Sequence, residues 1–187
     1  MMDNVLVWAR SQLEGYQTSR DIYKIAYLVE ETLIVFWQIA EGKKIHFETE
    51  LDEELEVVID PNLVRIALRN IINNAIKYTP DGGRIRLYEE RDDGDLLICI
   101  ADNGIGMDQE TLARLQAGEN LVSEKGTSGE PGSGLGLTLT KEMLRLNGSE
   151  LLIESEAGVG TTMKIQMEIA SRDPQDSPVS LGLKEKE

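Results

Sequence analysis

The stretch Asn70-Ile71-Ile72-Asn73-Asn74-Ala75-Ile76-Lys77-Tyr78, followed in chain order by Asp102-Asn103-Gly104-Ile105-Gly106-Met107 and by Gly132-Ser133-Gly134-Leu135-Gly136-Leu137, decides how the chain is read. Asn70, Asn74, Lys77 and Tyr78 fall at i, i+4, i+7 and i+8, so a helix presents two amides, an ammonium and a phenol on one face. Ile66, Leu68, Ile71, Ile72, Ala75 and Ile76 supply the buried side, which leaves the polar stripe to line a cleft. Asp102 ends a strand and enters a turn whose glycines let backbone pass close to a flat ligand. The third run leads from a loop into a helix, where backbone amides unobstructed by side chains make an anion seat.

Working outward, Asp21 to Glu41 carries Ile22, Ile25, Leu28, Val29, Leu33, Phe36 and Ile39 every three or four residues and predicts a helix ending at Gly42. Strands are expected at Ile45 to Leu51 and Glu56 to Ile59, and Asp60-Pro61 opens the helix of the polar stripe, with proline in its first turn. Thr79-Pro80-Asp81-Gly82-Gly83 stops that helix. Arg84 to Arg91 and Leu96 to Ala101 alternate around Asp92-Asp93-Gly94-Asp95 as a hairpin. A short helix over about Gln109 to Ala117 follows, then a glycine-rich stretch without periodicity, about 118–133, read as a mobile lid. Leu135 to Asn147 is helical, and Glu150 to Ser155 with Thr161 to Ile169 form a final hairpin. From Ser171 the tail is polar and expected to be disordered.

The 187 residues give room for one domain plus an appendage, with 41% hydrophobic content to fill a core. A formal net charge of −15 argues against nucleic acid as a partner, because binding a polyanion depends on neutralising its phosphates. The single cysteine, Cys99, lies in the apolar run Leu96-Leu97-Ile98-Cys99-Ile100 and reads as a buried, inert thiol suited to a reducing compartment. No stretch approaches the roughly 20 apolar residues of a transmembrane helix, and the N-terminus lacks a signal-peptide pattern. The pattern of elements supports α/β or α+β.

The chemistry of the three motifs converges on a nucleotide. Mg²⁺ takes oxygen ligands and keeps waters while bridging phosphates, so one amide oxygen, that of Asn74, is a sufficient protein anchor. Lys77 can offer its ammonium to phosphates, and Tyr78 can cover a base or ribose. A carboxylate at Asp102 accepts a hydrogen bond from the adenine N6 amino group, whereas guanine would set a carbonyl against it at a cost of ~1 to 3 kcal/mol. Gly132, Ser133, Gly134, Leu135, Gly136 and Leu137 seat the triphosphate; Lys125 can swing toward it from the lid or remain a solvated loop lysine.

Together these motifs, and the whole of about Asp60 to Ile169, resemble the ATP-binding domain of sensor histidine kinases, within the family that includes gyrase, Hsp90 and MutL. The resemblance implies a two-layer α/β sandwich, a mixed sheet covered by helices on one face, over residues 20–170. It implies ATP and Mg²⁺ as ligands, with Gly104, Ile105 and Gly106 forming the base wall. Thr161 and Thr162 after Gly160 resemble the family's last glycine box, where a threonine supports the adenine carboxylate; each also reads as a plain strand threonine. Residues 1–19 are expected to be the end of a preceding dimerisation hairpin and its linker, or an amphipathic helix (Asn4 to Leu13) packed on its own domain. The doubled Met1-Met2 suggests a piece of a longer protein.

The ATP-hydrolysing branches place a glutamate one turn before the magnesium asparagine as the base for water. Here that position is Asn70, and an amide cannot accept a proton usefully, so efficient hydrolysis is not expected. The resemblance instead implies transfer of the γ-phosphoryl group to a histidine of a phosphoacceptor domain, then on to a response regulator, in a cytoplasmic, homodimeric parent that is free or membrane-anchored. The one histidine, His46, sits in a strand and reads as structural or surface. The phenylalanine motif common between the first two glycine boxes is replaced by Leu115-Gln116-Ala117-Gly118-Glu119-Asn120. A noncatalytic nucleotide-sensing or docking module is the rival reading.

Overall fold

The computed structural model describes residues 17–92, 95–119, 126–129 and 136–170. The expected helix at Asn4 to Leu13, the tail from Ser171, Lys125, Gly132 to Leu135 and most of the lid lie outside the described residues. In chain order the elements are β1 (Asp21–Lys24), α1 (Ile25–Gly42), β2 (His46–Glu50), β3 (Glu56–Ile59), α2 (Pro61–Tyr78), β4 (Arg84–Asp92), β5 (Asp95–Asp102), α3 (Gln109–Gln116), α4 (Gly136–Asn147), β6 (Leu151–Glu156) and β7 (Gly160–Met167).

One expectation fails at the start of α1. Asp21 to Lys24 is strand, paired antiparallel with β3 from Asp21 opposite Ile59 to Lys24 opposite Glu56. The helical spacing of Ile22 and Ile25 misled because a partner strand distant in sequence offers those backbone groups a ladder, and pairing overrides local propensity. Ile22 is accordingly exposed, while Ile25 is fully buried.

The main sheet has five strands in the order β2-β4-β5-β7-β6. β2 runs parallel to β4, and the other neighbours are antiparallel. A parallel pair needs a long crossover, and β3 with α2 supplies it. Leu96, Ile98 and Ile100 of β5, with Ile85, Leu87 and Ile165 beside them, join Leu28 and Val29 of α1, Leu68 and Ile72 of α2 and Leu144 of α4 in one core. Each such side chain contributes roughly 1.5 to 3 kcal/mol on burial. Ile66, expected on the buried side of α2, is only partly buried.

The opposite face of the sheet carries ion pairs: Lys164 with Glu90 at 3.1 Å and Glu154 at 3.0 Å, and Arg86 with Glu50 at 3.2 Å. Cys99 lies on that face between its register partners Tyr88 and Lys164 and is nonetheless fully buried. Burial pushes its thiol up to about 12, with Glu90 adding to the effect. The fold is thus the two-layer α/β sandwich with a mixed sheet. Among the described residues no helix is long and apolar enough to cross a membrane.

Candidate functional site

The polar stripe is held by a helix fixed at both ends. Asp60 caps α2 by accepting from the amides of Asn62 (3.0 Å) and Leu63 (3.4 Å), and Pro61 follows at the first helical position, where a missing N–H costs nothing. At the other end Thr79 turns to an extended conformation, as a residue before proline must. Between them Leu63, Val64, Ala67, Leu68, Ile71, Ile72, Ala75 and Ile76 are buried, which leaves Asn70 and Asn74 half-buried on the facing side. Among the described residues the Asn70 Nδ2 is buried without a hydrogen-bond partner. An amide donor so placed is costly unless an acceptor completes it.

Lys77 is only 6% exposed. Its Nζ donates to the Tyr78 hydroxyl at 2.9 Å and lies 4.5 Å from the Tyr78 ring centroid. The ammonium is therefore gathered at the C-terminal turn of α2 together with the phenol.

Asp102 closes β5 in register with Ile85 on one side and Thr161 on the other. Its Oδ1 accepts from the amides of Gly104 at 2.9 Å and Thr161 at 3.3 Å. Neither of these bonds uses Oδ2. Burial pushes this carboxyl up from 3.8 to about 6, the two amides pulling the other way. At neutral pH it is still about nine-tenths ionised. The support expected from Thr161 thus comes through its backbone N–H, while its hydroxyl pairs with Ser155 Oγ at 2.9 Å.

The loop after Asp102 is clamped from two sides. The Tyr78 carbonyl accepts from the Ile105 amide at 3.1 Å, and the Ile105 carbonyl accepts from the Gly158 amide at 2.7 Å. Gly104 passes so close that a Cβ there would stand 2.5 Å from the Tyr78 carbonyl oxygen. Gly106 has φ +63°, and a Cβ on it would run into the Glu156 carbonyl. Ser155, which sequence reasoning missed, ties the two turns together: its Oγ accepts from the Met107 amide at 2.9 Å and lies 3.0 Å from the Gly160 carbonyl. A serine inside an alternating strand carries no signal of such a role.

Tyr78, Asp102, Gly104, Ile105, Gly106 and Thr161 therefore form one continuous wall, although 83 positions separate its ends. Gly136 and Leu137 begin α4, which packs against α2. His46 is exposed at the start of β2, opposite Arg84.

The family described as "Histidine kinase-, DNA gyrase B-, and HSP90-like ATPase" matches residues 59–171. The chain belongs to this family. It is similar to the histidine protein kinase DivJ of Caulobacter vibrioides, 29% identical over 90% of the chain, and to the sensor histidine kinase WalK of Bacillus subtilis, 27% identical over 94%. The chain spans 28% of DivJ and 29% of WalK. Among solved structures, full-length ShkA in complex with AMPPNP superposes with a TM-score of 0.74 at 24% identity, over 91% of this chain and 35% of that one. The catalytic domain of histidine kinase ThkA gives 0.67 at 20% identity, over 81% of this chain and 96% of that one. At these identities the structural likeness establishes the fold.

Proposed function

We propose that residues 20–170 are the ATP-binding catalytic domain of a two-component sensor histidine kinase, which binds Mg·ATP and presents the γ-phosphoryl group to a histidine on a separate dimerisation domain. The observation that carries this reading is Asp102: its Oδ1 is anchored by two backbone amides while Oδ2 is left for the N6 amino group of adenine. Gly104, Ile105 and Gly106 form the wall against which the base lies, and Tyr78 closes its edge.

Asn74 would hold the metal through its amide oxygen, an arrangement that suits Mg²⁺, which binds through few protein oxygens together with phosphates and water. The ion would supply positive charge to offset that of the phosphates. The open Nδ2 of Asn70 offers a donor to an oxygen in the same cleft, and Asn70 cannot act as a base for water. Lys77 adds positive charge at the end of the helix. Gly136 and Leu137 stand at the head of α4, where free helix-start amides would seat the phosphates, and the family resemblance assigns Gly132 to Leu135 and Lys125 to the same role. Catalysis by such a site is positioning and electrostatics, as phosphoryl transfer requires. The acceptor imidazole is nucleophilic when neutral, and the phosphoryl group passes next to a response regulator, in the cytoplasm, from a homodimeric parent.

The test is calorimetric titration of a nonhydrolysable ATP analogue, with and without Mg²⁺ and beside GTP, followed by phosphotransfer to a supplied histidine hairpin. Magnesium-dependent, adenine-selective binding and labelling of the hairpin are expected. Binding without transfer to any hairpin would favour a nucleotide-sensing module, and no binding by folded protein would overturn the reading.

A further inference from the structure

Lys43 belongs to none of the motifs above, yet it is 7% exposed and directs its charge into the protein. It stands just past Gly42 at the end of α1, where its own amide closes that helix on the Ile39 carbonyl and its carbonyl accepts from the Gly82 amide at 2.8 Å. Its Nζ donates to the Ile76 carbonyl at 2.8 Å and approaches the Lys77 carbonyl at 3.4 Å. These are terminal carbonyls of α2, which lack helical partners and lie at the negative end of the helix dipole. The same Nζ reaches Thr127 Oγ1 at 2.7 Å.

Thr127 completes the arrangement. Its amide donates to the Lys77 carbonyl at 3.0 Å, and its hydroxyl lies 3.1 Å from that carbonyl and 3.0 Å from the Thr79 carbonyl. A hydroxyl has one proton, so it donates to one carbonyl at a time while a lone pair receives the lysine. The Tyr78 peptide is thus gripped on both sides, by bonds to the carbonyls of Lys77 and Thr79. Its own carbonyl is the acceptor that locates the Ile105 amide against Gly104.

We propose that Lys43 and Thr127 are positioning residues for the nucleotide site: together they fix the last turn of α2, and through the Tyr78 carbonyl they set the base wall at Gly104–Ile105. The inference rests on the nucleotide reading of that wall. Their contacts are to the carbonyls around Tyr78, so the role inferred is indirect, through Tyr78. Such supporting contacts commonly change ligand affinity by tenfold or more, because a wall displaced by a fraction of an ångström no longer fits.

The experiment compares Lys43→Met, Thr127→Val, their double variant and Thr127→Ser with the unaltered chain. Two quantities are read: affinity for a Mg²⁺-bound ATP analogue, and amide hydrogen exchange at Ile105 in the absence of nucleotide. Each of the first two substitutions should weaken binding about tenfold, the double variant should be no weaker than either alone, and Thr127→Ser should bind as the unaltered chain does. Exchange at Ile105 should accelerate while Ile98 and Ile165 in the sheet keep their rates. Wild-type affinity in cooperatively melting variants, additive losses, or unchanged Ile105 exchange would overturn the inference. If Lys43→Met does not fold, the Thr127 valine and serine variants decide it. If the unaltered chain binds no nucleotide, the functional reading falls and the exchange measurement still decides the positioning claim.

Discussion

Replacing Asp102 by asparagine should stabilise the empty protein and abolish the nucleotide site. Moving a carboxyl from 3.8 to about 6 by burial costs up to about 3 kcal/mol at neutral pH, at roughly 1.4 kcal/mol per pH unit. The folded form holds the proton more tightly than the unfolded chain between about pH 4 and 6, so this group's contribution to stability falls as pH rises through that window and levels off above it. The substituted amide would keep an oxygen for the Gly104 and Thr161 amides without a buried charge. At pH 8 the Asp102→Asn variant should therefore melt several degrees higher, at about 2 to 4 °C per kcal/mol for a domain of this size. The difference should shrink below pH 6 and be nearly gone at about pH 3, where Asp102 is neutral in both states. Thermal melts without nucleotide from pH 3 to 8, paired with calorimetry at pH 7.5, measure both halves. A variant that is equally or less stable at pH 8 would refute the claim that the carboxylate is held against a desolvation cost. Retained adenine selectivity would refute its role as base reader.

Asn74→Ala should reduce affinity in Mg²⁺ to the level seen with chelator while changing stability of the empty protein by no more than about 0.5 kcal/mol; titrations with and without the metal read the first, denaturant melts the second. Gly106→Ala should destabilise by at least about 1 kcal/mol, because alanine is strained at a φ of +63° and meets the Glu156 carbonyl; wild-type melting and affinity would contradict the tight turn. Cys99, buried with its thiol pushed up to about 12, should react with a thiol reagent at pH 8 only as fast as the protein opens. Rapid labelling of the native form would mean that Tyr88 and Lys164 do not cover it.

Local sequence specified a good deal of this protein. The Asp60-Pro61 cap, the periodic apolar side of α2, the stop at Thr79-Pro80 and the β4–β5 hairpin were readable because capping, amphipathicity and turn chemistry act between residues a few positions apart. The polar stripe from Asn70 to Tyr78 and the acid-glycine turn at Asp102 were readable for the same reason, and their chain order sufficed to indicate the family. Tertiary structure alone decided what depends on partners far along the chain. It turned Asp21 to Lys24 into a strand against β3, assigned the support of Asp102 to the Thr161 amide, drew Ser155 to the turn after Asp102 and drew Lys43 to the last turn of α2. A backbone hydrogen bond or a buried ammonium takes whatever acceptor the fold brings within about 3 Å, and no periodicity in the sequence records which acceptor that will be.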